Sequence, residues 1–394
     1  MPSISLFRRG KDPLQTWSSR PSCGAIALLG LLLLVPDTAR AWPDLAPAFR
    51  AGEVELGLSA NWVYDSNSFH RDPDGRFEDA TGFRRRETGV FLRRPGHYEV
   101  MVQYDLEGRA WTDTLVRLHS KGLLGRDLGS VRIGYFKTPV GFDAVSPVRA
   151  APFLEQALPV QAVYAGRRTG VEWALQRPGY LVGVSGFAGH DLEGDNHGQT
   201  VAGRAAWVPR NAPGDVLHLG VAASRERPDA DTLRLRARPE AGLTPVRLVD
   251  TGTLAGVETV HRGGIEALWI AGPWSLQGEL LGIDVRREGQ DVRGRGGYVF
   301  GSWMLTGGSR TYGGHAGNPT AGDGDQVELL LRYSHLDLDD GAVAGGTQSD
   351  WTLGMNWYLG RNLKLQANYV HARSRRGGET ADPAVLGLRA QFYF

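Results

Sequence analysis

The sequence predicts an all-β fold, a sixteen-stranded antiparallel transmembrane β-barrel, and three observations point to it. Segments of about ten residues alternate apolar with polar or glycine and end at Gly, Pro, Asn or Asp, the pattern of a membrane-barrel strand. The connections between them alternate long and short. Beyond residue 41 no stretch has the roughly eighteen uninterrupted apolar residues that a spanning helix requires.

Residues 1–41 carry the three parts of a secretory signal. Arg8, Arg9, Lys11 and Arg20 form a basic segment, an apolar run extends from Ala25 to Val35, and Ala39-Arg40-Ala41 is a small-x-small cleavage site, so the mature chain begins near Trp42. Arg8-Arg9 is not followed directly by apolar residues, which favours ordinary secretion over a twin-arginine route. The single cysteine, Cys23, lies inside this signal, after Arg20-Pro21-Ser22 rather than an apolar lead-in. That rules out a lipoprotein anchor there, and leaves residues 42–394 with no disulfide and no thiolate metal site. The chain has 44 Lys+Arg and 43 Asp+Glu; residues 1–41 take five and two, leaving 39 against 41, a net charge of −2. Overall charge therefore predicts no nucleic-acid partner, and any selection for anions has to come from local placement.

Residues 42–394 show no linker and read as one barrel domain. Strands are predicted near 53–64, 82–93, 97–108, 111–118, 129–137, 168–176, 180–188, 199–208, 215–226, 258–271, 274–287, 296–306, 325–337, 349–359, 363–373 and 384–394. The last shows the alternation best: Leu386, Leu388, Ala390, Phe392 and Phe394 share one face, Gly387, Arg389, Gln391 and Tyr393 the other. With the N-terminus periplasmic, the outside connections are 65–81, 109–110, 138–167, 189–198, 227–257, 288–295, 338–348 and 374–383. Tight inside turns fall at Arg94-Pro95-Gly96, Arg177-Pro178-Gly179, Gly272-Pro273 and Gly360-Arg361-Asn362. The connections 119–128 and 307–324 are long for the inside, and 109–110 is short for the outside. Gly294-Arg295-Gly296-Gly297 reads as a turn. Trp62, Tyr64, Trp111, Trp207, Trp269, Trp303, Trp351 and Trp357 sit at strand ends or on the apolar face, where interfacial girdles place rings that are apolar on one edge and wet on the other.

Residues 138–167 form a thirty-residue stretch without a strand pattern, and Phe142, Val145, Val148, Phe153, Leu154 and Leu158 make it too apolar for a solvated loop. It should pack inside the barrel. Strand parity turns Arg85, Arg132, Arg168, Arg204, Arg332, Lys364 and Arg389 to the lumen, with Lys137, Arg149 and Arg167 at or in this loop. Arginine suits an oxyanion path because its planar fork donates several hydrogen bonds and stays charged. Several weak sites in series pass an ion better than one tight one. The competing expectation is that these cations merely pair with Glu155, Glu172, Glu266, Glu279 or Glu328.

Several blocks resemble the phosphate-selective porin O and P family. Val131-Arg132-Ile133-Gly134-Tyr135-Phe136-Lys137-Thr138-Pro139 looks like the strand entering that family's constriction loop, followed by Phe153-Leu154-Glu155 and Arg167-Arg168-Thr169-Gly170-Val171. Arg247-Leu248-Val249-Asp250-Thr251-Gly252, Gly272-Pro273-Trp274-Ser275-Leu276-Gln277-Gly278-Glu279 and Asp350-Trp351-Thr352-Leu353-Gly354-Met355-Asn356-Trp357-Tyr358 continue the likeness in order. The resemblance implies a homotrimer of sixteen-stranded barrels in the outer membrane, each with an inward-folded third extracellular loop that is the constriction loop 138–167 here, in contact with lipid and lipopolysaccharide and passing small anions such as phosphate or pyrophosphate. It implies no cofactor, no metal and no catalysis. Where the family pattern has two inward basic residues in the second strand, this chain has Arg85 and Glu87, and mature lysines are limited to Lys121, Lys137 and Lys364. Both features weaken a strict phosphate channel.

Other signals are weaker. Asp191-Leu192-Glu193-Gly194-Asp195-Asn196 has oxygen donors at alternate positions but lacks the full set of calcium ligands, and reads as a solvated outside loop. There is no phosphate-binding Gly-rich loop and no Gly-x-Ser-x-Gly elbow. The alternatives to a porin are an outer-membrane barrel enzyme such as a lipid hydrolase, or a structural barrel with a plugged lumen.

Overall fold

The computed structural model describes residues 48–72, 75–313, 318–320 and 325–394; the signal segment 1–41 and its cleavage site lie outside them. Sixteen antiparallel strands form one closed sheet. They are β1 (Val54–Arg71), β2 (Ala80–Arg94), β3 (Tyr98–Asp105), β4 (Thr114–His119), β5 (Ser130–Lys137), β6 (Arg167–Arg177), β7 (Tyr180–Phe187) and β8 (Gln199–Ala212), then β9 (Asp215–Arg227), β10 (Val257–Ala271), β11 (Trp274–Arg287), β12 (Val292–Met304), β13 (Gln326–Asp340), β14 (Val343–Leu359), β15 (Leu363–Arg376) and β16 (Ala384–Tyr393). Strand β16 pairs back onto β1, from Asn61 opposite Tyr393 to Phe69 opposite Val385, which removes both sheet edges.

The wall is inverted relative to a soluble protein. Trp207 is 60% exposed and Leu280 61%, both facing outward, while the inward Glu328, Asp350 and Lys364 are fully buried. Only a sheet whose outer face meets lipid is stable with that polarity. Near the short-turn end Trp274 stacks on Trp303 with centroids 5.0 Å apart, beside Trp207 and Trp269; towards the other end Tyr64 meets Phe83 edge-on at 5.2 Å and Tyr104 meets Trp111 at 5.1 Å.

The predicted strands are all present, with four boundary corrections. Strand β1 runs on to Arg71 rather than ending at 64. Gly294-Arg295-Gly296-Gly297 is not a turn but the middle of β12, paired with both neighbours from Gly282 opposite Arg295 to Arg295 opposite Asp337. The connections expected at 288–295 and 338–348 accordingly shrink to 288–291 and 341–342. Cross-strand ion pairs Arg293 to Asp284 (3.1 Å) and Arg295 to Asp337 (3.6 Å) extend this part of the wall, and charged alternation is harder to read as strand than apolar alternation. Finally, the β3–β4 connection covers 106–113, with Ala110–Trp111 folded back on β3, instead of two residues at 109–110. Three short helices lie in connections: α1 (Ser120–Leu124), α2 (Phe142–Val145) and α3 (Leu158–Val163).

Candidate functional site: the barrel lumen

Residues 138–166, the L3 loop, fold into the barrel as the apolar content of the segment predicts; Arg167 already belongs to β6. Phe142, Phe153, Leu158 and Val160 are at most 2% exposed. Helix α3 packs on an inward patch of β11–β13 that is apolar where a lumen is usually polar: Leu281, Ile283, Phe300, Leu336 and Leu338. At the other end of the loop Phe142 stacks on His218 at 4.9 Å, and Glu279 accepts the backbone N–H groups of Phe142 and Asp143. L3 is thereby pressed against the β9–β16 side, which leaves space along β4–β8.

A second loop also enters. In L5, residues 228–256, Leu235, Ala237, Ala241, Leu248 and Val249 are buried, and Leu235, Ala237 and Val249 join the same core as α3. Its anchor is Glu240, which receives Arg332 Nε (3.0 Å), Ser334 Oγ (2.6 Å) and Thr352 Oγ1 (2.6 Å) from the wall. From the short-turn end, the connection after β12 brings Arg310 onto Glu328 (2.7 Å) and Tyr312 Oη onto His218 Nδ1 (2.6 Å). Only L3 was anticipated as an inward loop. The signal for L5 was the run Arg234-Leu235-Arg236-Ala237-Arg238, strand-like alternation inside a presumed loop.

Two cavities border L3. The larger, about 490 Å³, lies between the start of L3, the β4–β8 wall and Tyr312; Arg117, Arg132, Lys137, Arg149 and Arg204 line it with Asp113 and Glu172. The smaller, about 290 Å³, lies between α3, L4 (188–198) and L5, and is lined by Arg168, Arg234, Arg236 and Arg262 with Glu226.

The nominated cations do not form one cluster. Lys137, Arg149, Arg132 and Arg204 share the larger cavity. Arg167 reaches it through Asp113 (2.8 Å), whereas Arg168 belongs to the smaller cavity, paired with Glu226. Most carry a counter-charge: Arg132 has Glu172 (2.8 Å), Arg204 has Glu266 (2.6 Å), Arg332 has Glu240, and Arg389 grips Asp65 through two bonds of 2.7 Å. Arg85 sits beside Glu87 at 3.3 Å. The two lysines hold L3 rather than face open space. Lys137 Nζ donates to the carbonyls of Ala144 and Ser146 (2.7 Å each), and Lys364 Nζ donates to those of Arg149 (3.0 Å) and Ala151 (2.9 Å). Arg149 and Arg236 are exposed and make no ion pair among the described residues.

Parity also missed Arg84. The pairing of β1 with β2 slips between Val63 opposite Arg85 and Tyr64 opposite Phe83, a β-bulge that gives Arg84 no partner and turns it inward along with Arg85. Arg84 donates to both carboxylate oxygens of Glu155 in L3 (2.8 and 3.2 Å). Burial acts to raise the Glu155 carboxyl, but Arg84, with Arg389 and Arg238, outweighs it and holds the group down at about 2. Burial pushes the Arg238 guanidinium down to about 10, which leaves it charged at neutral pH. In L4, Asp191, Asp195 and His197 bring ligand-type atoms within 4.8 Å of one another, while Asp191 Oδ2 engages His197 Nε2 at 3.0 Å.

Comparison with known proteins fits this geometry. The sequence model described as phosphate-selective porin O and P matches residues 55–394. The chain belongs to that family. Porin O of Pseudomonas aeruginosa is 27% identical over 249 residues, 53% of this chain and 57% of that protein; an uncharacterized protein of Caulobacter vibrioides is 27% identical over 348 residues, 82% and 70%. Among solved structures, the anion-selective porin from Comamonas acidovorans (14% identical, TM-score 0.57) aligns with 87% of this chain and all of its own. OmpT, an outer membrane protein of Vibrio cholerae (10% identical, TM-score 0.58), aligns with 89% and all of its own. At those identities the structures share the fold alone. Family membership makes the chain an outer-membrane porin of the Gram-negative type.

Proposed function

We propose that the chain is a passive channel for small anions, with solutes passing between L3 and the β4–β8 wall. The observation that carries this reading is that each cavity, lined by several arginines, holds one exposed guanidinium without an ion pair among the described residues: Arg236 at the L5 rim of the smaller and Arg149 in the larger. The other lining arginines are balanced by carboxylates, so these two unpaired cations set the local field, which favours anions although the mature chain is slightly acidic. Phosphate-type oxyanions fall within this class. The long connections face outside, the barrel contacts lipid and lipopolysaccharide, and three copies assemble as the family resemblance implies.

In planar bilayers with a potassium chloride gradient, the reversal potential should lie on the chloride side; a potential on the potassium side overturns the reading, and absence of conductance favours a plugged structural barrel. Arg236 is exposed, so Arg236→Glu should leave folding intact and move the reversal potential towards potassium. An unchanged potential would remove the L5 rim from the path.

A further inference from the structure

The larger cavity is basic by residue count, yet its cations are mostly committed. Arg132 is neutralised by Glu172, Arg204 by Glu266 and Arg117 by Glu99 (2.7 Å), and Lys137 is bound to two L3 carbonyls. The remaining cation is Arg149, exposed and without an ion pair among the described residues. Its place is fixed from behind, because Lys364, buried in β15, holds the Arg149 carbonyl at 3.0 Å. The rest of the lining that L3 and β7 supply is apolar: Pro139, Val145, Pro147 and Leu181.

One uncommitted guanidinium against an apolar wall matches a particular solute. A compact inorganic dianion has no use for the apolar surface and would need more than one free donor to replace its water. A carboxylate or sulfonate can be held by a single planar fork, and its hydrocarbon body then covers the apolar lining; about 490 Å³ is within the usual range for such small-molecule sites, roughly 300–1,000 Å³. We propose that this cavity is a subsite for organic monoanions, a single carboxylate or sulfonate on an apolar body, in preference to inorganic phosphate. The proposal rests on the anion-channel reading and narrows it.

The test measures chloride current through the full-length protein in planar bilayers while benzoate, acetate or phosphate is added. Benzoate should halve the current at a concentration about tenfold or more below that of acetate or phosphate. Arg149→Gln, at an exposed position, should raise the benzoate value by about tenfold, the loss expected for one charge-assisted contact. Pro147→Ser should raise the benzoate value and leave acetate unchanged. Phosphate acting at or below the benzoate concentration, or benzoate block that survives Arg149→Gln, overturns the subsite while leaving an anion-selective reversal potential intact. A potassium-side reversal potential overturns the anion channel and the subsite with it.

Discussion

Replacing Glu240 by alanine should release L5 from the wall and raise the single-channel conductance. The carboxylate is fully buried and accepts from Arg332, Ser334 and Thr352, and its own backbone N–H donates to Asp350 Oδ2 (3.1 Å). Removing it leaves a buried guanidinium without its counter-charge, which typically costs about 3–5 kcal/mol, and two hydroxyls without their acceptor. Arg332 would keep the Glu155 carbonyl (3.0 Å) and its stacking over Phe153 at 4.1 Å, so L3 should stay in place while L5 moves. Bilayer recordings and urea unfolding read the two effects separately. Lower stability with unchanged conductance would mean that L5 does not restrict the pore.

The contrast between L3 and L5 shows what was legible in the sequence. L3 announced itself because Phe142, Phe153 and Leu158 have no reason to be in a solvated connection. L5 did not, because its buried residues are small or spaced by arginines, and Glu240 gives no sign that its partners are 92 to 112 positions away. The strands were readable wherever one face is apolar and the other polar. Only strand ends were missed at β12–β14, where Arg293, Arg295 and Asp337 carry the alternation on the outer face. Parity assigned facing well but stopped at the bulge that turns Arg84 inward, since one extra residue resets the period of two. Pairing was the least accessible layer: Lys137 and Lys364 look like pore cations in sequence, and only the fold shows them donating to loop carbonyls.

The Glu155 carboxylate should make the attachment of L3 resistant to mild acid. Its folded pKa of about 2 lies below the ordinary value of 4.5, so its contribution to stability is fully present above about pH 4.5 and is lost as pH falls through 2. The shift corresponds to about 3 kcal/mol at neutral pH. Glu155→Gln should lose that contribution at pH 7, because Glu155 is the carboxylate that Arg84 pairs with among the described residues, while Arg389 retains Asp65. Between pH 4.5 and 2 the wild-type protein should lose stability towards the mutant's, so the gap between the two narrows with acid. Urea unfolding at pH 7, 4 and 2.5 measures that gap. A gap that stays constant would show that the Arg84–Glu155 pair is not what ties L3 to β2, and a gap that widens would reverse the sign of the linkage. Conductance recorded at the same pH values adds the functional reading: if the pair holds the constriction, the Glu155→Gln channel should be wider at pH 7, and the wild type should approach it only near pH 2.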